Sequence, residues 1–226
     1  MRQCLQGMLG DQFAVAVAGP HRGPHRLFPE ERAHIATAAE KRAAEFATAR
    51  TCARSALAAI GVPASSLVPH IDRSPAWPPD VKGSITHTHD ICAVAVTCSP
   101  LFAAVGIDIE MERAVGDELV DLICGPDERA WLESADKEER ADMLTMLFSA
   151  KEAFYKCQYP ITKSFLDFRD VQLAIDVGRG CFRALEVSRP GLDWSFATAV
   201  RGQIRHYQGR VATTAVLSTD LGASHL

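Results

Sequence analysis

The stretch Phe148-Ser149-Ala150-Lys151-Glu152-Ala153-Phe154-Tyr155-Lys156 decides how the rest of the chain is interpreted. It follows Met143–Leu147, and no Gly or Pro interrupts the run before Pro160, so one long helix is predicted. Positions 148, 151, 152, 155 and 156 share one side of that helix, which carries Phe, Lys, Glu, Tyr and Lys. Because most of its remaining surface is apolar, the helix is predicted to be buried, with its charged side facing a polar site. The alternative is a Glu152–Lys156 ion pair on a solvated face.

A second polar pattern lies in the stretch Ala103–Glu110, whose branched residues predict a β-strand. Strand alternation places Asp108 and Glu110 on one face and Ile107 and Ile109 on the other. Two carboxylates roughly 7 Å apart along a strand repel each other unless positive charge lies between them. Mg²⁺ meets this need, since it binds a few carboxylates and leaves its other positions to water and phosphate. The alternative is a strand with an exposed acidic face.

The composition describes a soluble globular chain of one large domain or two small ones. The chain has 226 residues, of which 47% are hydrophobic and 23% charged, and its net charge of −4 carries no electrostatic footprint for nucleic acid. Seven cysteines, an odd number, form no Cys-x-x-Cys pair, so reduced thiols in a cytoplasmic protein are expected. No apolar run has membrane-spanning length and no signal-peptide pattern opens the sequence, so a membrane is not expected as a partner. Nucleic acid is not expected either, because of the net negative charge.

Helix and strand signals occur in both halves of the chain. In the first half we predict a strand at 13–18, a turn at 19–24, a helix beginning at Pro29, two helices over 33–60 with a break near 37–39, an extended proline-rich segment at 62–82 and a strand at 91–98. In the second half we predict helix over 117–133 with a break at Gly125-Pro126, strands at 171–177, 182–187, 195–200, 204–208 and 211–217, and a loose tail at 220–226. The fold class is therefore α+β, with two subdomains and the acidic strand near their junction.

Two further groups of residues are candidates for anion binding. Arg42 and Arg50 are eight residues apart and lie close to one helix face, which is either an anion-binding face or a solvated basic one. His87 and His89 share a strand face, but no further Cys or His stands at zinc-ligand spacing. A single histidine beside a phosphate is therefore preferred to a zinc site, and a surface histidine without a role is the alternative.

Three of these stretches, in this order and spacing, resemble the 4′-phosphopantetheinyl transferases of the Sfp/EntD type. They are Gly83-Ser84-Ile85-Thr86-His87, Gly106-Ile107-Asp108-Ile109-Glu110 and the helical stretch 148–156. Residues 41–50, 75–78 and 159–163 also resemble the bacterial branch that modifies carriers of secondary metabolism. The resemblance covers residues 28–217, approximately.

The resemblance implies a fold and an activity. It implies two similar α/β subdomains in one monomeric chain, residues 1–103 on the nucleotide side of coenzyme A and 104–226 with the metal and the catalytic helix, and an active site at their junction. The family moves 4′-phosphopantetheine from coenzyme A to a serine of an acyl or peptidyl carrier protein, depends on Mg²⁺ and releases adenosine 3′,5′-bisphosphate. Coenzyme A is thus the expected co-substrate and a carrier protein domain the expected partner.

The resemblance also implies roles in the metal and catalytic site. Asp108, Glu110 and the main-chain carbonyl of Ile109 would hold Mg²⁺. Glu152 would act first as the general base and second as a metal ligand, two roles that compete because a cation lowers the pKa of a carboxylate. Lys156 and Lys151 would neutralise pyrophosphate or leaving-group oxygens.

Other positions match the family's coenzyme A contacts. Thr86 and His87 correspond to its phosphate-binding pair, and Arg42 and Arg50 to its arginines at the 3′-phosphate and adenine end. Related chains carry a basic stretch before the Trp-Pro element, which is Trp77-Pro78 in this sequence. Here the corresponding stretch reads Val68-Pro69-His70-Ile71-Asp72-Arg73, so His70 or Arg73 is expected to substitute for the usual basic residue. Phe165 and Leu166 stand where the family lines its pantetheine cleft.

Two other classes of protein fit the same residues. One is another Mg²⁺-dependent phosphoryl-transfer enzyme, such as a phosphatase or nuclease, that uses the same carboxylates. The other is a non-catalytic module that binds coenzyme A or a carrier. Mass spectrometry of a carrier incubated with coenzyme A and Mg²⁺ separates the three classes. Transfer adds the mass of phosphopantetheine to the carrier, hydrolysis adds nothing to the carrier, and simple binding leaves both components unchanged.

Overall fold

The chain divides into two compact units in the computed structural model. The structure describes residues 1–19, 27–191 and 193–220. The first unit is Met1–Ser99 and the second is Pro100–Leu226, so the division falls just before the boundary predicted at residue 103. Most of the predicted turn at 19–24 and of the predicted tail at 220–226 lies outside the described residues.

The first unit contains a small antiparallel sheet and a long helix. Its elements are α1 (Arg2–Leu9), β1 (Ala14–Ala18), α2 (Pro29–His34), α3 (Glu40–Ala59), β2 (Lys82–His87) and β3 (Cys92–Thr97). The strands pair in the order β1-β3-β2, and α3 packs on β3 and β1 through its alanine-rich side. Helix α1 was not expected from the sequence, whereas the break between α2 and α3 falls where it was predicted.

The second unit contains a larger antiparallel sheet and the central helix. Its elements are β4 (Phe102–Met111), α4 (Val120–Ile123), α5 (Pro126–Glu133), α6 (Lys137–Thr162), β5 (Val171–Asp176), β6 (Cys181–Val187), β7 (Arg201–His206) and β8 (Arg210–Ser218). The strands pair in the order β4-β8-β7-β6-β5, and α6 lies across β4 and β8. Each unit thus has its own sheet and helices, which confirms the predicted α+β class.

The predicted central helix is confirmed as α6 and is longer than its apolar run. It begins after Asp136, whose carboxylate caps the helix by accepting hydrogen bonds from the amides of Glu138 and Glu139 at 3.0 Å. It continues past Pro160 because a missing donor within the last turn breaks only one hydrogen bond, and it ends at Lys163, which adopts the left-handed conformation with φ 53°.

One predicted strand is wrong. A strand was predicted at 195–200, but Ser195–Ala199 forms a 3-10 helix. The carboxylate of Asp193 accepts the Ser195 amide at 2.8 Å, and the Trp194 carbonyl accepts the Ala197 amide at 2.9 Å. These local bonds satisfy the backbone and override the strand propensity of the segment. Across the described residues, no helix has the length and apolar character needed to cross a membrane.

Gly106 allows α6 to lie directly against β4. A Cβ atom at this position would be 1.9 Å from the carbonyl oxygen of Ala153 and 2.7 Å from the amide nitrogen of Cys157, both in α6. These are backbone atoms, which cannot rotate away as a side chain could. The glycine of the Gly-Ile-Asp-Ile-Glu stretch is therefore required for the close packing of strand and helix.

Replacing Gly106 is expected to destabilise the second unit and to misplace the polar residues beside it. Gly106→Ala should lower the free energy of unfolding by about 1–3 kcal/mol or more, because the helix must move away from the strand. Gly7→Ala is the control, since a Cβ atom added there would meet no atom within 4 Å and alanine favours the helix, which should raise stability slightly. Denaturant unfolding of both variants measures the difference, and equal stability of the Gly106 variant and the parent would contradict the requirement.

Candidate active site

Four charged side chains of the second unit converge where β4 faces α6. Asp108 is buried on β4, with 3% of its surface exposed, and Glu110 follows it at the half-buried end of the same strand. The Nζ atom of Lys156 on α6 lies 2.7 Å from an oxygen of Asp108 and 3.7 Å from an oxygen of Glu152. The strand and the helix thus bring together three carboxylates and one ammonium group.

The periodicities of strand and helix place these side chains. Gly106, Asp108 and Glu110 alternate along one face of β4, the face that contacts α6 at Gly106. Glu152 and Lys156 are four residues apart and lie on the same side of the helix. The side chain of Ile109 is fully buried on the other face of the strand, and the metal-binding role of its carbonyl stays a prediction.

Burial and mutual repulsion perturb the acids of this cluster. Burial raises the pKa of Glu110 to about 7, and the charges of Asp108 and Glu152 add to this shift while Lys156 opposes it. Burial also raises the pKa of Glu152, against the effect of Lys156. Burial acts to lower the pKa of Lys156, but the neighbouring Asp108 and Glu152 outweigh it and raise the pKa. The cluster thus has more negative charge than its single lysine neutralises.

The acidic cluster fits a divalent cation that shares its coordination with a phosphate. Asp108 and Glu110 supply carboxylate oxygens, the ligands that Mg²⁺ prefers, and a cation would offset the charges of Asp108 and Glu152, which add to the effect of burial on the pKa of Glu110. Within the described parts of the chain, no three His, Cys, Asp or Glu side chains form a group able to hold a metal ion. Mg²⁺ does not require such a group, because one or two carboxylates together with substrate phosphates commonly bind it.

Lys151 is bonded inside the second unit rather than presented to a ligand. Its side chain is 1% exposed, and its Nζ atom lies 2.7 Å from a carboxylate oxygen of Glu128. The same ammonium donates to the carbonyl oxygens of Ile123 at 2.8 Å and Phe168 at 2.7 Å. All three of its N–H donors therefore have partners. Burial lowers its pKa, against the effect of Glu128. This placement does not support the predicted role in binding pyrophosphate.

Glu128 completes a buried polar cluster around Lys151. Its two carboxylate oxygens accept the amides of Gly125 and Leu173, each at 2.8 Å. The ion pair thus joins α6 to α5. Its hydrogen bonds also reach the residue before α5, the end of α4, the segment before β5 and β5 itself. The sequence carried no signal for this role of Glu128, because its partner Lys151 lies 23 positions away.

A cavity of about 140 Å³ adjoins Glu152 in the second unit. Apolar and aromatic side chains form most of its wall. The cavity is lined by Lys151, Glu152, Phe154, Tyr155, Phe165, Leu166, Asp167, Phe168 and Val171. Phe165 and Leu166 were both predicted to line an apolar cleft; Leu166 is buried in the structure, whereas Phe165 is 57% exposed.

The predicted basic residues of the first unit differ in their surroundings. Arg42 is exposed on α3 and pairs with Glu45 at 3.8 Å. Arg50 is buried, its Nε atom donates to the carbonyl of Leu67 at 2.7 Å, and its guanidinium lies 4.0 Å from the centre of the Phe46 ring. Burial lowers the pKa of Arg50 to about 10, although Glu31 opposes the shift. Arg50 therefore already contributes to packing, and Arg42 is the more accessible cation.

The other predicted ligand-binding residues of the first unit lie on β2 and on the turn after α3. Thr86 is buried and His87 is exposed at the end of β2. His70 and Arg73 are exposed in one tight turn, in which the Arg73 amide donates to the His70 carbonyl at 2.9 Å and Arg73 adopts φ 65°. The side chains of His70 and Arg73 are thus both exposed to solvent from this turn.

Two hydroxyl groups beside Asp108 were not identified from the sequence. Ser149 Oγ donates to a carboxylate oxygen of Asp108 at 2.8 Å, and Thr213 Oγ1 lies 2.9 Å from Ser149 Oγ. Ser149 is part of the decisive helical stretch and lies three residues before Glu152, which was a usable signal. Thr213 lies opposite Asp108 in the pairing of β4 with β8, a register that the sequence did not specify.

Two family models match this chain, one in each unit. A model described as the 4′-phosphopantetheinyl transferase N-terminal domain matches residues 30–97, and a model described as the 4′-phosphopantetheinyl transferase superfamily matches residues 104–215. The second match includes most of β4, the whole of α6 and the acidic cluster.

Three curated proteins are similar over most of the chain. The 4′-phosphopantetheinyl transferase Svp of Streptomyces mobaraensis is 37% identical over 200 residues, which cover 88% of this chain and 81% of that protein. The 4′-phosphopantetheinyl transferase PptT of Mycobacterium tuberculosis is 34% identical over 84% of this chain and 85% of its own length. The 4′-phosphopantetheinyl transferase Npt of Nocardia iowensis is 37% identical over 69% of each chain.

The Lys151–Glu128 pair is expected to be structural. Lys151→Met should lower the free energy of unfolding by about 3–5 kcal/mol, because it leaves the Glu128 carboxylate buried without its partner. Lys151→Met combined with Glu128→Gln removes both charges and should recover part of that loss. Lys137→Met, at the exposed start of α6, is the control. Unfolding in denaturant measures all three, and normal stability of the single variant with weakened coenzyme A binding would favour the phosphate-binding role.

Proposed function

Because this chain belongs to the 4′-phosphopantetheinyl transferase superfamily, we propose that it transfers 4′-phosphopantetheine from coenzyme A to a serine of an acyl or peptidyl carrier protein. We propose further that the reaction depends on Mg²⁺ and releases adenosine 3′,5′-bisphosphate. The observation that carries the proposal is the convergence of Asp108, Glu110, Glu152 and Lys156 beside an apolar cavity in one unit.

Glu152 is the proposed general base. The serine hydroxyl of the carrier is a poor nucleophile until its proton is removed, and Glu152 is a half-buried carboxylate on the cavity wall that can accept this proton. As the serine oxygen forms its bond to the β-phosphorus, the hydroxyl proton passes to Glu152. The bond from that phosphorus to the bridging oxygen breaks, and adenosine 3′,5′-bisphosphate departs with the bonding electrons.

Lys156 and the acidic pair of β4 act on the charge of the pyrophosphate. The ammonium of Lys156 is held between Asp108 and Glu152, so it is oriented before any ligand arrives and can neutralise the developing charge of the leaving group. Asp108 and Glu110 would hold Mg²⁺, which when bound withdraws negative charge from the pyrophosphate oxygens.

The cavity beside Glu152 suits the pantetheine arm of coenzyme A. Its wall includes Tyr155, Phe165, Leu166 and Phe168, which offer apolar contacts to a long and mostly uncharged chain. Because Glu152 belongs to the same wall, a group bound in the cavity would have its phosphate end close to the base. We therefore assign Leu166 and its neighbours to the pantetheine end of the ligand.

Residues of the first unit are proposed to bind the nucleotide end of coenzyme A. Arg42 is assigned to the 3′-phosphate because it is an exposed guanidinium, which can bond two phosphate oxygens at once. Thr86 and His87 are assigned to phosphate, and His70 or Arg73 is proposed to replace the basic residue that related chains carry before the Trp-Pro element.

Loading of a carrier tests the proposed reaction directly. The full chain is incubated with an apo carrier protein, coenzyme A and Mg²⁺, and the carrier is weighed by mass spectrometry. A gain equal to the mass of phosphopantetheine is expected. Hydrolysis of coenzyme A with an unchanged carrier would indicate a hydrolase, and unchanged masses of both would indicate a binding module.

Glu152→Gln is expected to abolish most turnover while preserving ligand binding. The amide keeps the size of the side chain and one acceptor oxygen but cannot take a proton, so turnover should fall about 10²–10⁴-fold. Coenzyme A should still bind within a few fold by calorimetry. Glu139→Gln makes the same change in an exposed residue of α6 and should have no effect. Recovery of the Glu152 variant at high Mg²⁺ would show that its main role is to hold metal.

Arg42→Ala is expected to weaken coenzyme A more than 3′-dephospho-coenzyme A. Loss of a charge-assisted bond to the 3′-phosphate should reduce affinity for coenzyme A about ten- to a hundredfold and leave the dephospho ligand almost unchanged. Lys41→Ala, in the neighbouring exposed cation of α3, is the control. Calorimetric titration measures the four affinities, and equal losses for both ligands would remove Arg42 from the 3′-phosphate.

A further inference from the structure

Two buried hydroxyl groups lie beside the Asp108 carboxylate and form a hydrogen-bonded group with it. Ser149 on α6 and Thr213 on β8 are both fully buried, and neither has a role in the proposed reaction. Ser149 Oγ lies 2.8 Å from one carboxylate oxygen of Asp108 and 2.9 Å from Thr213 Oγ1. Thr213 Oγ1 also lies 2.9 Å from the carbonyl oxygen of Ser149. Three elements, β4, β8 and α6, thus meet in one hydrogen-bonded group.

The available protons define the direction of these bonds. Each hydroxyl has one proton to donate, and the carboxylate of Asp108 only accepts. Thr213 Oγ1 lies 2.9 Å from both the carbonyl oxygen and the Oγ atom of Ser149, so its single proton is shared between these two acceptors and fixes Thr213 to the helix. The charged carboxylate is the stronger of the acceptors within reach of the Ser149 proton, so Ser149 donates to Asp108.

Helix α6 therefore holds the Asp108 carboxylate by both of its oxygens. Ser149 bonds one oxygen and Lys156 bonds the other at 2.7 Å. Ser149 and Lys156 are seven residues apart, or about two helical turns, and so share a face of α6 with Glu152. Two donors at fixed spacing on one helix leave the carboxylate little freedom to rotate about its χ2 angle.

We propose that Ser149, backed by Thr213, is a positioning residue that presents the Asp108 carboxylate to the divalent cation. The inference rests on the proposed metal-binding role of Asp108. Partners of metal ligands typically contribute about 10–100-fold to metal affinity, because they hold the ligand in its binding orientation. A merely structural role for Ser149 would affect the stability of the fold and leave the affinity of the folded protein for metal unchanged.

Binding of Mn²⁺ to the full chain in the presence of coenzyme A, followed by electron paramagnetic resonance of the free ion, tests this role without turnover. Ser149→Ala should weaken Mn²⁺ binding about 10–100-fold. Ser149→Thr keeps the hydroxyl and should bind within a few fold of the parent. Thr213→Val should give a smaller loss, because Ser149 remains. Thr214→Val, the same change on the opposite face of β8, is the matched control and should have no effect.

Carrier loading across a Mg²⁺ series provides a second measurement. Ser149→Ala should raise the Mg²⁺ concentration needed for half-maximal rate by a similar factor, whereas kcat at saturating Mg²⁺ should return close to that of the parent. A fall in kcat that no Mg²⁺ concentration corrects would overturn the proposal.

Asp108→Ala separates this inference from the proposed function. If Asp108→Ala loses Mn²⁺ binding while Ser149→Ala and Thr213→Val bind it like the parent, the positioning role is wrong and the metal-binding role stands. If Asp108→Ala binds Mn²⁺ like the parent, both are wrong. If Ser149→Ala does not fold, two other variants test the positioning role by Mn²⁺ binding. Ser149→Cys keeps the volume of the side chain but is a weak donor, and Thr213→Val removes the second hydroxyl.

Discussion

Direct contact between the backbones of β4 and α6 at Gly106 is the constraint on which the candidate site depends. Asp108 and Glu110 follow this contact along the strand, and Glu152 precedes Ala153, the residue that the glycine touches. The acids of strand and helix are therefore brought together by main-chain packing rather than by the reach of flexible side chains. Rigid placement of this kind keeps the cost of organising charges low when a ligand binds.

The same contact brings like charges together, so the fold has to offset their repulsion. Burial raises the pKa of both Glu110 and Glu152, the charge of Asp108 adds to both shifts, and Lys156 opposes them. Apolar side chains on the remaining surface of α6, among them Leu144, Leu147 and Phe154, are fully buried against the sheet and supply the compensating stability. Acids held in this way, with perturbed pKa values, are a frequent mark of functional sites.

The family resemblance predicted that Asp108, Glu110, Glu152 and Lys156 belong to one site, and periodicity predicted only which side of each element is polar. Periodicity was insufficient for Lys151, because it specifies the direction of a side chain but not what lies there. Glu128 is distant in sequence and reaches Lys151 only through the packing of α5. The strand predicted at 195–200 failed for a related reason, since local hydrogen bonds such as that from the Ser195 amide to Asp193 decide its conformation and propensity does not.

The Lys151–Glu128 pair also bears on how the second unit opens. Its carboxylate accepts the amides of Gly125 and Leu173, and its ammonium donates to the carbonyls of Ile123 and Phe168, so distant segments of chain share one buried bond network. Hydrogen exchange at the two amides should then report a single cooperative opening event, although they are far apart in sequence. Phe168 also belongs to the cavity wall, so a molecule bound there would slow exchange at Gly125, which does not line the cavity.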